Sequence, residues 1–189
     1  MSAVTFITGN QHKADNLARL LGLPLDHVKL DLDEIQSVEL QEIVEHKARQ
    51  AYEIIKGPVI VDDVSLSFTA LSGLPGPFVK FFVEAGTEKL CRMLDGFDTR
   101  SAVGRAGVGY YDEHGFRYFE GEIHGTVADH PRGNGGFGSF GWDAIFEPEG
   151  YGGRTRAELT QEEYDEVYRK IRPIKDLKHF LEEADDVRT

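Results

Sequence analysis

Val59-Ile60-Val61-Asp62-Asp63, set off by Gly57-Pro58, is a wholly apolar β-branched run that ends in two carboxylates. A run without polar alternation reads as a central strand covered on both faces, which belongs to an α/β fold. The acids sit at its carboxyl end, where ligands gather in open α/β sheets. Upstream, Leu40, Ile43, Val44, Ala51 and Ile54 form the core stripe of a helix over residues 39–55. Residues 27–32 read as another strand. Ala3-Val4-Thr5-Phe6-Ile7 reads as the first strand, followed by a helix with Ala14, Leu17, Ala18 and Leu21 that Gly22 and Pro24 stop.

Downstream, Gly73-Leu74-Pro75-Gly76-Pro77 is a rigid turn, with helices expected near 78–85 and 87–95. Residues 102–111 and 116–127 read as a long antiparallel hairpin around Asp112-Glu113-His114-Gly115, the basis of a second lobe. Residues 131–143 form a Gly-rich loop too aromatic for a linker. Thr160 and Glu163 make a capping box for a helix with Tyr164, Val167, Tyr168 and Ile171 on one face. Pro173 ends it, and a last helix carries Ile174, Leu177 and Leu181. At 189 residues the expectation is one domain, residues 1–189. One lobe holds residues 1–100 and the C-terminal helices, and the β-rich lobe lies around 101–147.

A formal charge of −12 argues against nucleic acid or anionic membrane as a partner. An anionic ligand then needs a divalent cation and a few placed lysines. Cys91 is the only cysteine, which excludes an intrachain disulfide and a Cys-rich zinc site. Met1-Ser2-Ala3 runs into a strand pattern with no signal-peptide signature, and no apolar run reaches membrane-spanning length. The expected location is cytoplasmic.

Thr8-Gly9-Asn10 joins a buried strand to a helix N-terminus, whose free N–H groups and dipole favour an anion. Lys13 in the first turn is unfavourable for that dipole and suggests a negative ligand; the plain alternative is an Asn10 cap with a solvated lysine. Asp62 and Asp63, adjacent on a strand, point to opposite faces. One can ligate a cation while the other orients or deprotonates water; alternatively Asp63 caps a turn with Ser65. Lys47 lies on the apolar stripe of its helix and either snorkels or reaches phosphate oxygens. Glu34 is placed to be a further hard oxygen ligand, and Lys80 is an isolated cation in Phe78-Val79-Lys80-Phe81-Phe82. Phe140 and Trp142 suit a planar base, with Asp143 accepting from its edge; packing is the alternative. The seven histidines lack metal-type spacing, there is no Walker loop or Gly-x-Gly-x-x-Gly turn, and Ser67 and Ser139 lack an evident base.

Together these residues resemble the inosine triphosphate pyrophosphatase family. The shared motifs are Thr8-Gly9-Asn10-x-x-Lys13, Glu34, Lys47, Val61-Asp62-Asp63, Gly73-Leu74-Pro75-Gly76-Pro77 with Lys80, and Phe140-Gly141-Trp142-Asp143. The resemblance implies an elongated two-lobed α/β fold around a long mixed twisted sheet with flanking helices. It also implies a homodimer, with nucleotide in a cleft between lobes. By the same resemblance Thr8, Gly9, Asn10, Lys13, Lys47 and Lys80 hold the triphosphate. Glu34 and Asp62, with Asp63 beside them, meet Mg²⁺, and Asp63 is the general base. Phe140, Gly141, Trp142 and Asp143 contact the base. The implied reaction is water attack on the α-phosphorus of ITP, dITP or XTP, giving the monophosphate and pyrophosphate.

The chain departs from that pattern where the family carries Ser-His-Arg, here Tyr168-Arg169-Lys170, and where a family lysine is replaced by Tyr164. Asn16 and Val64 also differ from the usual Glu and Ser or Thr. Tyr164, Arg169 and Lys170 are therefore expected at the base, with its recognition altered in detail. The alternatives are the same chemistry with another or broader base preference, or a non-catalytic nucleotide sensor. Gly135-Gly136-Phe137-Gly138 offers a second register for the aromatic motif, and the register at 140–143 is preferred because it ends on an acid.

Overall fold

In the computed structural model, which describes residues 4–134 and 141–186, β1 (Thr5–Ile7) leads through Thr8-Gly9-Asn10 into α1 (Gln11–Leu21). Ala14, Leu17 and Leu21 are buried at helical spacing. Gly22 closes α1 in the left-handed conformation, φ 68°, with its N–H on the Ala18 carbonyl. β2 (Asp26–Val28) is shorter than expected, because Leu30 and Leu32 lie beyond it and pack on the hydrophobic core.

α2 (Leu40–Ile55) buries Leu40, Ile43, Val44, Ala48 and Ala51. Ile54, expected in that stripe, is 56% exposed. The buried stripe runs from Val44 through Ala48 and Ala51 to Ile55, which packs on the core in the last turn. The helix ends at Ile55 as expected, with Lys56 closing it in the left-handed conformation, φ 57°.

β3 (Val59–Phe68) runs for ten residues. Asp62 and Asp63 therefore lie inside the strand and not at its carboxyl end. β1 pairs parallel with β2 and with β3, in the register Thr5 opposite Val59 and Phe6 opposite Ile60. Two residues further on, Thr8 comes level with Asp62, so the end that carries a ligand loop is that of β1.

A 3₁₀ turn at Thr69–Leu71 and a cis Leu74–Pro75 peptide lead to β4 (Pro75–Gly76), antiparallel to β3. α3 (Val79–Ala85) and α4 (Thr87–Arg92) follow. β5 (Ser101–Asp112) and β6 (Gly115–Val127) make the expected hairpin. Its turn is held by the His114 N–H donating to Asp112 at 2.8 Å, with Gly115 at φ 105°. β7 (Phe146–Pro148) pairs antiparallel with β6, and α5 (Gln161–Ile171) and α6 (Ile174–Asp186) end the chain. The capping box before α5 is reciprocal: the Glu163 N–H donates to Thr160 at 3.3 Å and the Thr160 N–H to Glu163 at 3.0 Å.

The seven strands form one mixed sheet, order β2-β1-β3-β5-β6-β7, with β4 on β3. The class is α/β, as the alternation of elements predicts. Two compact units divide the chain. The first takes residues through Asp63, Gly107–Glu120 and the chain from Arg172; the second takes Val64–Ala106 and Gly121–Ile171. The first unit is built on Ile7, Val44, Ala48, Ala51, Val59 and Val61, flanked by Tyr111, Phe116 and Tyr118. There Gly109 lets α2 approach, since a Cβ would stand 2.6 Å from Val44 Cγ1. In the second, Leu66, Phe68, Phe146, Val167 and Ile171 are fully buried.

Candidate functional site

The expected phosphate and metal residues other than Lys80 gather in the first unit. Asn10 caps α1, its side chain accepting from the Lys13 N–H at 3.2 Å, and Thr8 Oγ1 accepts from the Asn10 N–H at 3.1 Å. No acid stands in the first turn to offset the positive end of the helix. Gly9 leaves room for the aliphatic part of Lys29, since a Cβ there would come within 3.0 Å of Lys29 Cδ. Lys29 is a loop neighbour that the sequence pattern did not flag.

Lys13 is not simply solvated. Its Nζ lies 3.2 and 3.3 Å from the two oxygens of Asp62. Arg172 donates to the same carboxylate at 2.6 Å and is buried even more completely than it. Burial alone raises the Asp62 pKa, but Lys13 and Arg172 outweigh it and hold the carboxyl well below the usual carboxylate range. Arg172, just before the helix-breaking Pro173, was missed because an isolated arginine reads as surface. Asp63 faces other partners, as adjacent strand residues must: Lys47 Nζ reaches it at 2.9 Å and Glu34 at 3.3 Å. Lys47 thus extends to carboxylates and does not snorkel. Burial lowers its pKa, yet Asp63, Glu34 and Asp62 together keep it above the ordinary lysine value.

Among the described residues no group of three or more His, Cys, Asp or Glu is arranged to hold a metal. The three expected carboxylates are divided between two sets of cations, Asp62 with Lys13 and Arg172, Asp63 and Glu34 with Lys47. Their chemistry nonetheless suits a hard divalent ion: oxygens of Glu34 and Asp63 already converge on one positive centre, the Lys47 ammonium.

The second unit holds the residues expected at the base. Trp142 is 2% exposed and packs edge-on against Phe146, with ring centres 5.3 Å apart. Asp143 is equally buried, in an ion pair with Arg156 at 2.9 Å, and accepts from the Tyr164 hydroxyl at 3.1 Å. Gly141 is required by packing, since a Cβ would stand 2.6 Å from Val83 Cγ1. Arg169 and Lys170 are exposed on α5, Lys170 donating to the Tyr151 hydroxyl at 3.2 Å. Lys80 is exposed on α3. Phe140 and the alternative register at Gly135–Gly138 lie outside the described residues. Arg156 is the second group that sequence reasoning missed; only the Thr155-x-x-Glu158 capping motif marks its turn. A cavity of about 430 Å³ in this unit, lined by Thr69, His124, Thr126 and Glu147 among others, contains none of the expected site residues.

Residues 4–180 match the model of the Ham1 family. The chain belongs to the Ham1 family. It is 43% identical over 182 residues to inosine triphosphate pyrophosphatase 2 of Trypanosoma cruzi, covering 94% of this chain and 91% of that protein. It is 38% identical over 187 residues to the inosine triphosphate pyrophosphatase of Schizosaccharomyces pombe, covering 96% of each. The solved Staphylococcus aureus Ham1 protein superimposes with a TM-score of 0.81 at 25% identity, covering 96% of this chain and 99% of that one. The resemblance read from Thr8-Gly9-Asn10, Asp62-Asp63 and the Gly-rich loop therefore identified the right family. The fold is that of the Ham1 proteins. No helix among the described residues is long and apolar enough to cross a membrane.

Proposed function

We propose that this chain hydrolyses non-canonical purine nucleoside triphosphates, ITP, dITP and XTP, to the monophosphate and pyrophosphate. The observation that carries this is the meeting, in a Ham1-family chain, of a strand-to-helix phosphate loop with two acid–lysine sets in one unit. The Thr8-Gly9-Asn10 loop receives phosphate oxygens at the start of α1, and Lys13, Lys47 and Lys80 neutralise the polyphosphate. Asp63 accepts a proton from water as the water oxygen bonds to the α-phosphorus. The bond from that phosphorus to the bridging oxygen breaks, and the oxygen leaves with pyrophosphate. No covalent enzyme intermediate is needed. Glu34, Asp62 and Asp63 are the residues that would hold Mg²⁺, which supplies charge neutralisation at the phosphates. Trp142, Asp143 and Tyr164, with Phe140, Gly141, Arg169 and Lys170, form the base-contacting set. The protein acts in the cytoplasm, as a homodimer.

Lysines that pair with acids here exchange those partners for phosphate oxygens when nucleotide binds. The test is a panel of nucleotides incubated with Mg²⁺, scored for pyrophosphate. Pyrophosphate release from ITP, dITP and XTP, lost in Asp63→Asn, is the expected result. Orthophosphate as the only product, or no turnover of any nucleotide, overturns the proposal. A second reading, the same reaction with a different base preference, is favoured by one observation: Arg169 and Lys170, where the family carries His and Arg, are exposed on α5. Preference for a canonical or pyrimidine nucleotide in the same panel supports it.

A further inference from the structure

Arg156 is fully buried, which is rare for an arginine, and its partners are members of the base-contacting set proposed above. It makes the 2.9 Å ion pair to one oxygen of Asp143, while the Tyr164 hydroxyl occupies the other at 3.1 Å. Its guanidinium carbon lies 5.3 Å from the centre of the Trp142 ring and 4.6 Å from that of Tyr164. Arginine prefers this position, over aromatic faces and against a carboxylate, because its planar fork satisfies both at once.

The short turn that carries it, Arg156–Glu158, is fastened to both flanks of the Gly-rich stretch. The Ala157 N–H donates to the Asp143 carbonyl at 3.1 Å. Arg132 pairs with Glu158 at 3.3 Å, and Thr155 Oγ1 donates to the Arg132 carbonyl at 3.0 Å. Gly133 backs on Ala157 so closely that a Cβ would stand 2.6 Å from its carbonyl carbon. A Thr155–Glu158 capping box locks the turn itself.

We propose that Arg156 is the positioning residue for base recognition: it holds Asp143 between two donors and sets Trp142 and Tyr164 against its own guanidinium. This rests on the assignment of Asp143 to the base. A carboxylate held by two donors can offer the nucleotide only acceptor lone pairs. It therefore favours a purine edge whose ring nitrogen carries hydrogen, as in hypoxanthine and xanthine, over adenine, whose corresponding nitrogen is itself an acceptor. Arg156 thus determines the choice of base without touching it.

A cycle of four proteins tests this: wild type, Arg156→Lys, Asp143→Asn and the double variant. Two quantities are read, the ratio of kcat/KM for ITP over ATP, and IMP affinity by fluorescence of Trp142, the only tryptophan in the chain. Arg156→Lys should lower the ratio about tenfold, chiefly through KM for ITP, and weaken IMP binding about tenfold. Neither loss should recur when the change is made on the Asp143→Asn background. A folded Arg156→Lys with wild-type selectivity and IMP affinity overturns the proposal. If Asp143→Asn loses selectivity and Arg156→Lys does not, the positioning role alone fails; if both retain it, the assignment of Asp143 to the base falls as well. Should Arg156→Lys fail to fold, Arg156→Leu with Asp143→Leu leaves neither charge unpartnered. That pair should match Asp143→Asn in selectivity, and wild-type selectivity in it overturns the proposal.

Discussion

Lys47 sits between Val44 and Ala51 on the face that α2 turns to the core, yet its ammonium is engaged by Asp63 and Glu34. A lysine in that position was legible as an anomaly, because the apolar period has no use for a charge. Its partners were not, since they come from a loop and from another strand. Lys47→Ala should lower kcat for pyrophosphate release on the order of 10²-fold while leaving the thermal melt in place. Unchanged kinetics would leave the lysine a structural counter-charge only. Asp62 allows a prediction in pH. Its folded pKa lies below the unfolded carboxyl value of about 3.9, so its contribution to stability is complete above that value and declines as pH falls towards the folded pKa. Urea midpoints followed from about pH 5 to about pH 3 should fall more steeply for wild type than for Asp62→Asn; parallel slopes would remove Asp62 as the cause. Arg172 and Arg156 were illegible for one reason: Arg172 meets Asp62 across 110 residues of chain. Nothing local distinguishes a buried, paired arginine from a solvated one.

Among the elements, helices were read best because their signals are local. The Thr160–Glu163 box and the stripe Tyr164, Val167, Tyr168, Ile171 placed α5, and the structure repeats both. Thr160→Ala should destabilise the protein by about 1 kcal/mol in urea unfolding without altering the pyrophosphate assay. A change below a few tenths of a kcal/mol would mean that tertiary packing alone sets that terminus. β3 was placed correctly but drawn too short. Two acids looked like a strand end, whereas each finds a cationic partner and the backbone ladder continues past them. β5 contains a constraint that no strand pattern shows: Gly109 is where the Val44 side chain of α2 fits. Gly109→Ala should cost about 1–3 kcal/mol by overpacking, measured by the same unfolding. Wild-type stability would show that α2 can shift to accommodate a methyl group.

At the scale of the whole molecule, a net charge of −12 offers no general attraction to a polyanion. Selection of a nucleotide must then come from a few local cations. In this structure the carboxylates proposed for Mg²⁺ are neutralised by Lys13, Arg172 and Lys47. The fold therefore does not depend on metal for charge balance, although the proposed reaction does. Chelation with EDTA should abolish pyrophosphate release and shift Tm by less than about 2 °C; a large fall in Tm would show that metal is structural. The chain by itself determined the α/β class, the helices and the hairpin. It also carried the motifs that place it in the Ham1 family, because periodicity, caps and short motifs are written in neighbouring residues. Only the tertiary structure decided that β3 continues through its acids, that the two units divide within the long strands, and that Arg172 and Arg156 hold Asp62 and Asp143. Those outcomes depend on which charges meet once the core has closed, and burial makes a charge tolerable only where a partner from a distant part of the chain arrives.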